Sequence, residues 1–485
     1  MKTNFACCLF LVIVLIISSC SPAVAEPVQS PKIPAATVSA PASTPELASV
    51  SLPVITLNPG DFYFSVDGKE RPVFLRNVAA YDLSDYENFL DWSKSGGSSV
   101  ARVQLNAIKM GYTGSGKVDE AWAKEWDNIF DAARSKGIYV LPVFSSWFDW
   151  NAKDNPYSDY STWDKNKFND ALGGPAKSPS ELFEEGSKTR TAWFEWVEAL
   201  VQRWKSRDNI IGWEVFSEVN FISGATEPKG VEFVNAAAGM IRSVDPGRPV
   251  TASIADTGEW KKFYRDADID FINIHPYPPS AQLDRTVVQG VRDYLGKFDR
   301  PVLIGESGLN PVSPNEYPEN AEIGVRHAMW AGAVSGAMNG RGLYWEDSFG
   351  LFIEGAGILW MGKYKTAELP VSEFVKGVDF SGFKPLTSGM TKGVWGAAAG
   401  NESSFIGWFR DSGCEPPDYK LNPVISGQSV IIIVPGDAAA WQVRFYSTKD
   451  GTTELGVLDV ERKGDKLTIP LPDFSGDIAF KANAK

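Results

Sequence analysis

Two apolar, strand-like segments of this chain end in glutamate. One is Trp213-Glu214-Val215-Phe216-Ser217-Glu218-Val219-Asn220, and the other is Pro301-Val302-Leu303-Ile304-Gly305-Glu306-Ser307. A carboxylate at the end of a buried strand is costly unless something pairs with it or uses it. Two of them on separate strands are the minimum equipment for breaking a glycosidic bond: one carboxyl protonates the departing oxygen while the other meets the anomeric carbon from the opposite side. One must then be protonated and the other ionised at the same pH. Arg102 lies in a third apolar run and reads either as a substrate contact or as an interior partner of a carboxylate, and His275 and Tyr277 sit at the end of a fourth as candidate substrate contacts. Glu214, one strand repeat deeper than Glu218, reads as an interior charge paired with an arginine. His327 lies in a helical stretch and reads as structural. The two histidines are far apart, without ligand spacing, so the chemistry calls for no metal and no cofactor.

The elements that would position these groups follow from the hydrophobic pattern. Strands are expected at Val73–Ala79, Ser99–Leu105, Ile138–Phe144, Ile210–Phe216, Pro249–Ile254, Ile269–His275, Pro301–Gly305 and Gly342–Trp345, with helix-like stretches between them. Asp119 to Lys136 is the clearest helix. Its Trp122, Trp126, Ile129, Phe130 and Ala133 fall on one face, and Gly137 sits where a helix-terminating glycine belongs. Ser187 to Lys205 carries Trp193, Trp196, Val197, Leu200 and Trp204 as a second core face. Alternating strands and helices mean a parallel sheet, and eight repeats in this length suit a closed (β/α)8 TIM barrel. An open doubly wound sheet is the alternative, and no Gly-rich phosphate fingerprint follows the first strand to support it. In a barrel, functional groups project from the C-terminal strand ends. Glu218, Glu306, Arg102, His275, Tyr277 and Trp345 all fall near that end of their strands.

Four segments resemble glycoside hydrolase family five and its clan A relatives over residues 60 to 350. They are Trp213-Glu214-Val215-Phe216-Ser217-Glu218, Ile304-Gly305-Glu306, Asn273-Ile274-His275-Pro276-Tyr277, and Trp330 to Gly336 followed by Tyr344-Trp345. The resemblance implies Glu218 as general acid/base and Glu306 as nucleophile, with Arg102 and Tyr277 favouring the ionised nucleophile. It implies a retaining mechanism, with the carboxyls about 5–5.5 Å apart. Ser217 stands where the family has an asparagine that binds the sugar 2-hydroxyl. Serine is shorter, and Asn220 is a candidate to substitute for it. Trp345 would floor the cleaved residue. Trp147 and Trp150, in a long insertion between Phe144 and Gly186, are candidate sugar platforms.

The remaining segments are read from composition. Residues 1–20 form a targeting segment, with Lys2 before the apolar run Leu9–Ile17. Ile17-Ser18-Ser19-Cys20 resembles a bacterial lipobox, which implies lipidation of Cys20; an ordinary signal cut near Ala23-Val24-Ala25 is the alternative. Residues 21–50 are rich in Pro, Ala, Ser and Thr and read as a flexible tether. Residues 51–376 form the catalytic barrel. After Gly377, short runs at Ser404–Phe409, Val430–Val434, Trp441–Tyr446, Lys466–Leu471 and Asp477–Phe480 suggest a small all-β sandwich over 377–485. Cys414 alone remains in the folded part, so no internal disulfide is expected. A net charge of −13 argues against nucleic acid as a partner. The sequence thus points to a monomeric, lipid-anchored enzyme at a bacterial cell surface or outer membrane, hydrolysing a β-linked mannan or glucan, with endo action favoured. An exo-glycosidase or transglycosylase on the same barrel, and a non-catalytic carbohydrate-binding lipoprotein, are the rival readings.

Overall fold

The computed structural model describes residues 52–78, 86–106, 110–114, 117–151, 162–255, 260–277, 282–308, 321–342, 367–390, 392–416 and 418–485. The targeting segment, Cys20, the tether and Trp345 lie outside the described residues.

Seven strands follow one another in parallel: β1 (Leu75–Val78), β2 (Val100–Gln104), β3 (Tyr139–Ser146), β4 (Trp213–Ser217), β5 in two pieces (Val250–Thr251 and Ser253–Ala255), β6 (Ile272–His275) and β7 (Val302–Ile304). The segment around Met338 closes the ring. Its carbonyl accepts from Val73 N at 2.8 Å, and its N–H donates to Val302 O at 2.8 Å, so this backbone lies between the first and seventh strands. β4 begins at Trp213, three residues later than the apolar pattern suggests, and Ile210 keeps only a single bridge to Val140.

The longer helices form because they present an apolar face to the barrel, and α2 and α3 also carry a side-chain N-cap. They are α1 (Tyr86–Gly96), α2 (Glu120–Ser135), α3 (Lys188–Trp204), α4 (Glu227–Val244), α5 (Phe263–Asp266), α6 (Leu283–Phe298), α7 (Ala321–Ala333) and α8 (Leu369–Val375). The Asp119 side chain accepts from Trp122 N at the start of α2, and Gly137 beyond its end has φ of 73°. Ser187 caps α3 through Arg190 N. The tryptophans of both helices are core: Trp126, Trp193, Trp196 and Trp204 are fully buried. Their ring N–H groups are costly to bury alone. Trp193 Nε1 donates to Ser145 Oγ at 3.0 Å, and Trp204 Nε1 to Asp127 Oδ1 at 2.9 Å. At the N-terminal end of the barrel, Leu52 and Phe64 pack with Leu75, Val100, Leu141, Phe271 and Leu303 and seal the floor.

The C-terminal part is antiparallel. Its strands are β8 (Lys384–Leu386), β9 (Ser388–Met390), β10 (Val394–Gly400), β11 (Ser404–Asp411), β12 (Ser429–Ile433), β13 (Ala440–Tyr446), β14 (Glu454–Lys463), β15 (Lys466–Pro470) and β16 (Asp477–Ala484). They run in the order β8-β10-β11-β16-β13-β14-β15-β12-β9. β14 pairs with β13 along most of its length and with β15 only through Arg462 and Lys463, so the sheet folds over there into a sandwich. Trp441, Val443 and Phe445 alternate inward along β13 and meet Phe405, Phe409 and Phe480. β11 and β16 also pack on the barrel. Trp408, Ile406 and Ala479 join Met329 and Trp330 of α7 and Phe374 of α8 in one cluster. Buried Arg410 meets Asp284 of α6 at 2.5 Å, and Arg326 of α7 meets Asp477 at 2.8 Å. Cys414 is buried here, and burial pushes its thiol up to about 11, out of the reactive range.

Trp408 is fully buried and its Nε1 donates to Asp477 Oδ2 at 3.0 Å. Trp408→Ala is expected to lose about 3–5 kcal/mol of stability through the cavity it leaves, read as a lower midpoint in chemical denaturation.

Candidate active site

β2, β4, β5, β6 and β7 deliver their polar side chains to one end of the barrel. Arg102 lies at the centre, fully buried. Its Nε and Nη2 grip Glu214 in a two-pronged bond, both at 2.7 Å. Nη1 donates to Asn77 Oδ1 at 2.7 Å and to Glu306 Oε1 at 2.5 Å, and Nη2 also donates to Ser217 Oγ at 2.9 Å. A guanidinium has five N–H donors, and all five are used.

Glu306 follows β7. Besides Arg102 it accepts from Tyr277 Oη at 3.0 Å, and Ser217 Oγ stands 3.5 Å from its Oε1. Glu218 follows β4 and meets His275 Nδ1 at 2.9 Å; the same nitrogen lies 3.6 Å from Glu306 Oε2. One carboxylate oxygen of Glu218, one of Glu306 and a ring nitrogen of His275 all fall within 4.8 Å of one another. Both carboxyls are only slightly exposed, at 6% and 5%.

The two carboxyls are driven apart in acidity. Burial raises Glu218, the charge of Glu306 raises it further, and the bond to His275 offsets only part of this, so its carboxyl is held above the ordinary range. Burial would also raise Glu306. There the attraction of His275 and Arg102 and the bonds from Arg102 and Tyr277 win, and its carboxyl lies below the ordinary range. The cavity therefore favours one protonated and one ionised carboxyl.

Glu218 pivots out of β4 with φ of 58° and ψ of 52°. This left-handed conformation costs a residue with a β-carbon on the order of 1–3 kcal/mol. It turns the chain into a short 3₁₀ turn, Val219–Phe221. Trp147, half-buried at the end of β3, sets its ring edge-on to Phe221 at 5.9 Å, beside that turn.

Several residues expected to touch a ligand are placed differently. Arg102 is sealed below the carboxyls with no free donor, so it is a counter-ion and not a ligand contact. The Ser217 hydroxyl, nearly inaccessible, faces Arg102 and Glu306. Asn220 uses both ends of its amide on one backbone unit. Nδ2 donates to Ala255 O at 3.1 Å, and Oδ1 accepts from Ala255 N at 2.8 Å. Trp150 is fully buried against Trp163 and Phe168, on the inner side of a 3₁₀ turn. His275 and Tyr277 do reach the carboxyl pair. Glu214 is paired with an arginine, as its depth in β4 suggests. His327 is buried beside Trp408.

Two participants were not foreseen. Asn77, on β1, orients Arg102 through Oδ1 and ties Gly305 O through Nδ2 at 2.7 Å. Ser253, on β5, accepts from Glu218 N at 3.1 Å and donates to Glu214 Oε1 at 3.0 Å. An amide inside the apolar run Phe74-Leu75-Arg76-Asn77-Val78 was the available signal for the first. Ser253 sits in Thr251-Ala252-Ser253-Ile254, where a small hydroxyl residue carries no distinctive signal.

Among the described residues, Glu218, His275 and Glu306 are the trio whose donor atoms converge closely enough for a metal ion. Arg102 already occupies Glu306 at 2.5 Å, so a cation placed there would meet that positive charge.

Arg102→Met is expected to destabilise the fold by about 3–5 kcal/mol, since it strands two buried carboxylates. It should also raise the Glu306 carboxyl toward the ordinary range. Urea denaturation at neutral pH and a ¹³C carboxyl titration check the two effects.

The profile described as Cellulase (glycosyl hydrolase family 5) matches residues 66–331, just over half of the 485 residues. A solved structure titled "Glycoside hydrolase" aligns over 90% of this chain and 98% of its own, with a TM-score of 0.59 and 14% identity. A glycoside hydrolase family 5 protein from Bacteroides vulgatus aligns over 90% and 95%, with a TM-score of 0.58 and 16% identity. A putative glycoside hydrolase from the same organism covers 91% of this chain and 84% of its own, with a TM-score of 0.57 and 10% identity. No curated protein matches the sequence. The solved neighbours share the fold, and the family profile spans every strand that delivers Arg102, Glu218, His275 and Glu306: the chain belongs to glycosyl hydrolase family 5.

Proposed function

We propose that the protein is a retaining β-glycoside hydrolase in which Glu218 is the general acid/base and Glu306 the nucleophile. The observation that carries this reading is the carboxyl pair itself, with oxygens within 4.8 Å and acidities shifted in opposite directions. A retaining pair lies about 5–5.5 Å apart, whereas inversion needs roughly 6.5–9.5 Å to admit a water. In the first step the Glu306 carboxylate attacks the anomeric carbon while protonated Glu218 gives its proton to the departing glycosidic oxygen. In the second, Glu218, now ionised, takes a proton from water as that water displaces Glu306. Arg102 and Tyr277 keep the nucleophile ionised. His275, bonded to Glu218 and close to Glu306, orients the pair.

A neutral β-linked polysaccharide, a mannan or a glucan, suits the partly exposed Trp147 ring beside the acid/base turn, since flat rings stack on the apolar faces of sugars. Endo action is the favoured mode, and an assay of viscosity loss against reducing-end release separates it from exo action. Lipidation at Cys20 would hold the enzyme at a bacterial cell surface, and mass spectrometry of the membrane-extracted protein tests that.

Proton NMR of the first-formed product is expected to show the β anomer from a β-linked substrate; an initial α anomer would refute retention. Glu306→Ala should abolish turnover without unfolding the barrel, as circular dichroism would show. The pH profile of kcat/KM should be bell-shaped. Activity rises as pH climbs through the lowered pKa of Glu306, on the acid side of the ordinary glutamate value of about 4.3. It falls as pH passes the raised pKa of Glu218, where the acid loses its proton. Glu218→Gln should remove the alkaline limb.

A further inference from the structure

The end of β5 is bound to the acid/base turn by three hydrogen bonds that do not touch the reacting centre. Glu218 N donates to Ser253 Oγ at 3.1 Å, and the Asn220 amide clasps Ala255 in both directions, at 3.1 and 2.8 Å. Between these points the backbone takes its left-handed step at Glu218, closed by Phe221 N donating to Glu218 O at 3.0 Å. Nothing about glutamate favours that conformation, so surrounding contacts must impose it. Ser253 is fully buried, and its hydroxyl proton goes on to Glu214 Oε1 at 3.0 Å. Glu214 is gripped by Arg102, which holds Glu306. One continuous chain of bonds therefore runs from the backbone of one carboxyl residue to the side chain of the other, through Ser253.

We propose that Ser253 and Asn220 form a clamp that positions Glu218 for proton transfer, setting its placement relative to Glu306. The proposal rests on the reading of Glu218 as the acid/base. Both are positioning residues: neither is aimed at substrate, and each acts through the backbone of the turn. Proton transfer to a leaving group is sensitive to small displacements of the donor. Glu306 is held directly by Arg102 and Tyr277 and reaches Ser253 only through Arg102 and Glu214, so its attack is expected to depend little on the clamp.

The test compares kcat/KM, which reports the bond-breaking step, on two aryl β-glycosides of a sugar that the parent enzyme hydrolyses. One carries a phenol leaving group that needs protonation, and the other 2,4-dinitrophenol, which does not. Ser253→Ala and Asn220→Ala are each expected to lose about 10- to 100-fold on the phenyl glycoside and less than about 3-fold on the dinitrophenyl one. Ser253→Thr, which keeps the hydroxyl, should recover most of the loss. A merely structural role would lower both rates together. Equal losses on both substrates, or no loss on either, overturn the proposal. Glu218→Ala in the same assay separates the layers. If it discriminates between the substrates and the clamp variants do not, the clamp alone is refuted; if it too falls equally on both, the acid/base reading fails with it. Should Ser253→Ala fail to fold, by circular dichroism and thermal melt, Asn220→Ala decides the question.

Discussion

A single guanidinium organises the upper interior of this barrel. Arg102 is cut off from solvent, and its five N–H groups are divided among Glu214, Glu306, Asn77 and Ser217. A buried cation of this kind is tolerable only when every donor is met and the charge is balanced. Here one arginine faces two carboxylates, so the balance is negative and the region has no capacity for a third anion. That electrostatic fact separates the two catalytic candidates. Glu306 lies in direct contact with the guanidinium and stays ionised; the carboxyl of Glu218, after β4, meets His275 instead and keeps its proton more readily. Burial, which by itself would push both carboxyls the same way, becomes a means of distinguishing them.

The barrel supplies the rigidity this balance requires. Strand pairing sets Glu214 opposite Val143 and Thr251, and Asn273 opposite Ser253 and Leu303, so interior side chains occupy definite levels. Glu218, the proposed acid/base, sits just past β4 on a left-handed residue whose backbone is tied to the end of β5. Glu306, the proposed nucleophile, sits past β7 and is tied to Arg102. Separate anchoring lets each group be held by its own strand while the two meet across a few ångströms.

Much of this was legible in the sequence, for identifiable reasons. Glu218 and Glu306 stood out because a charge ending an apolar strand has few bland explanations, and the helical faces of α2 and α3 stood out because their tryptophans recur at helical spacing. The depth of Glu214 within β4 implied a charged partner. What could not be read was which polar residues would be consumed internally. Asn220 and Arg102 are donor-rich and near the site, so they resemble ligand contacts; only coordinates show that Ala255 and the carboxylates already use those donors. Trp150 misled for a related reason. Its insertion lacks regular periodicity, and the side of a 3₁₀ turn that faces inward depends on distant partners such as Phe168. The C-terminal strands β8, β9, β10 and β14 escaped notice because glycine, alanine and charged residues dilute their alternation.

The way the nine-stranded sheet turns back on itself bears on how the molecule avoids clumping. Its two terminal strands, β8 and β9, are three residues long and separated only by Thr387, so the ladder ends where it began. Exposed strand edges are templates on which a neighbouring chain can add. A longer run, residues 454–461 of β14, is paired with β13 on one side and not with β15, and it carries the exposed Leu455 and Val457. Glu454, Asp459 and Glu461 set charges along that same run, which discourages a neighbouring strand from adding there.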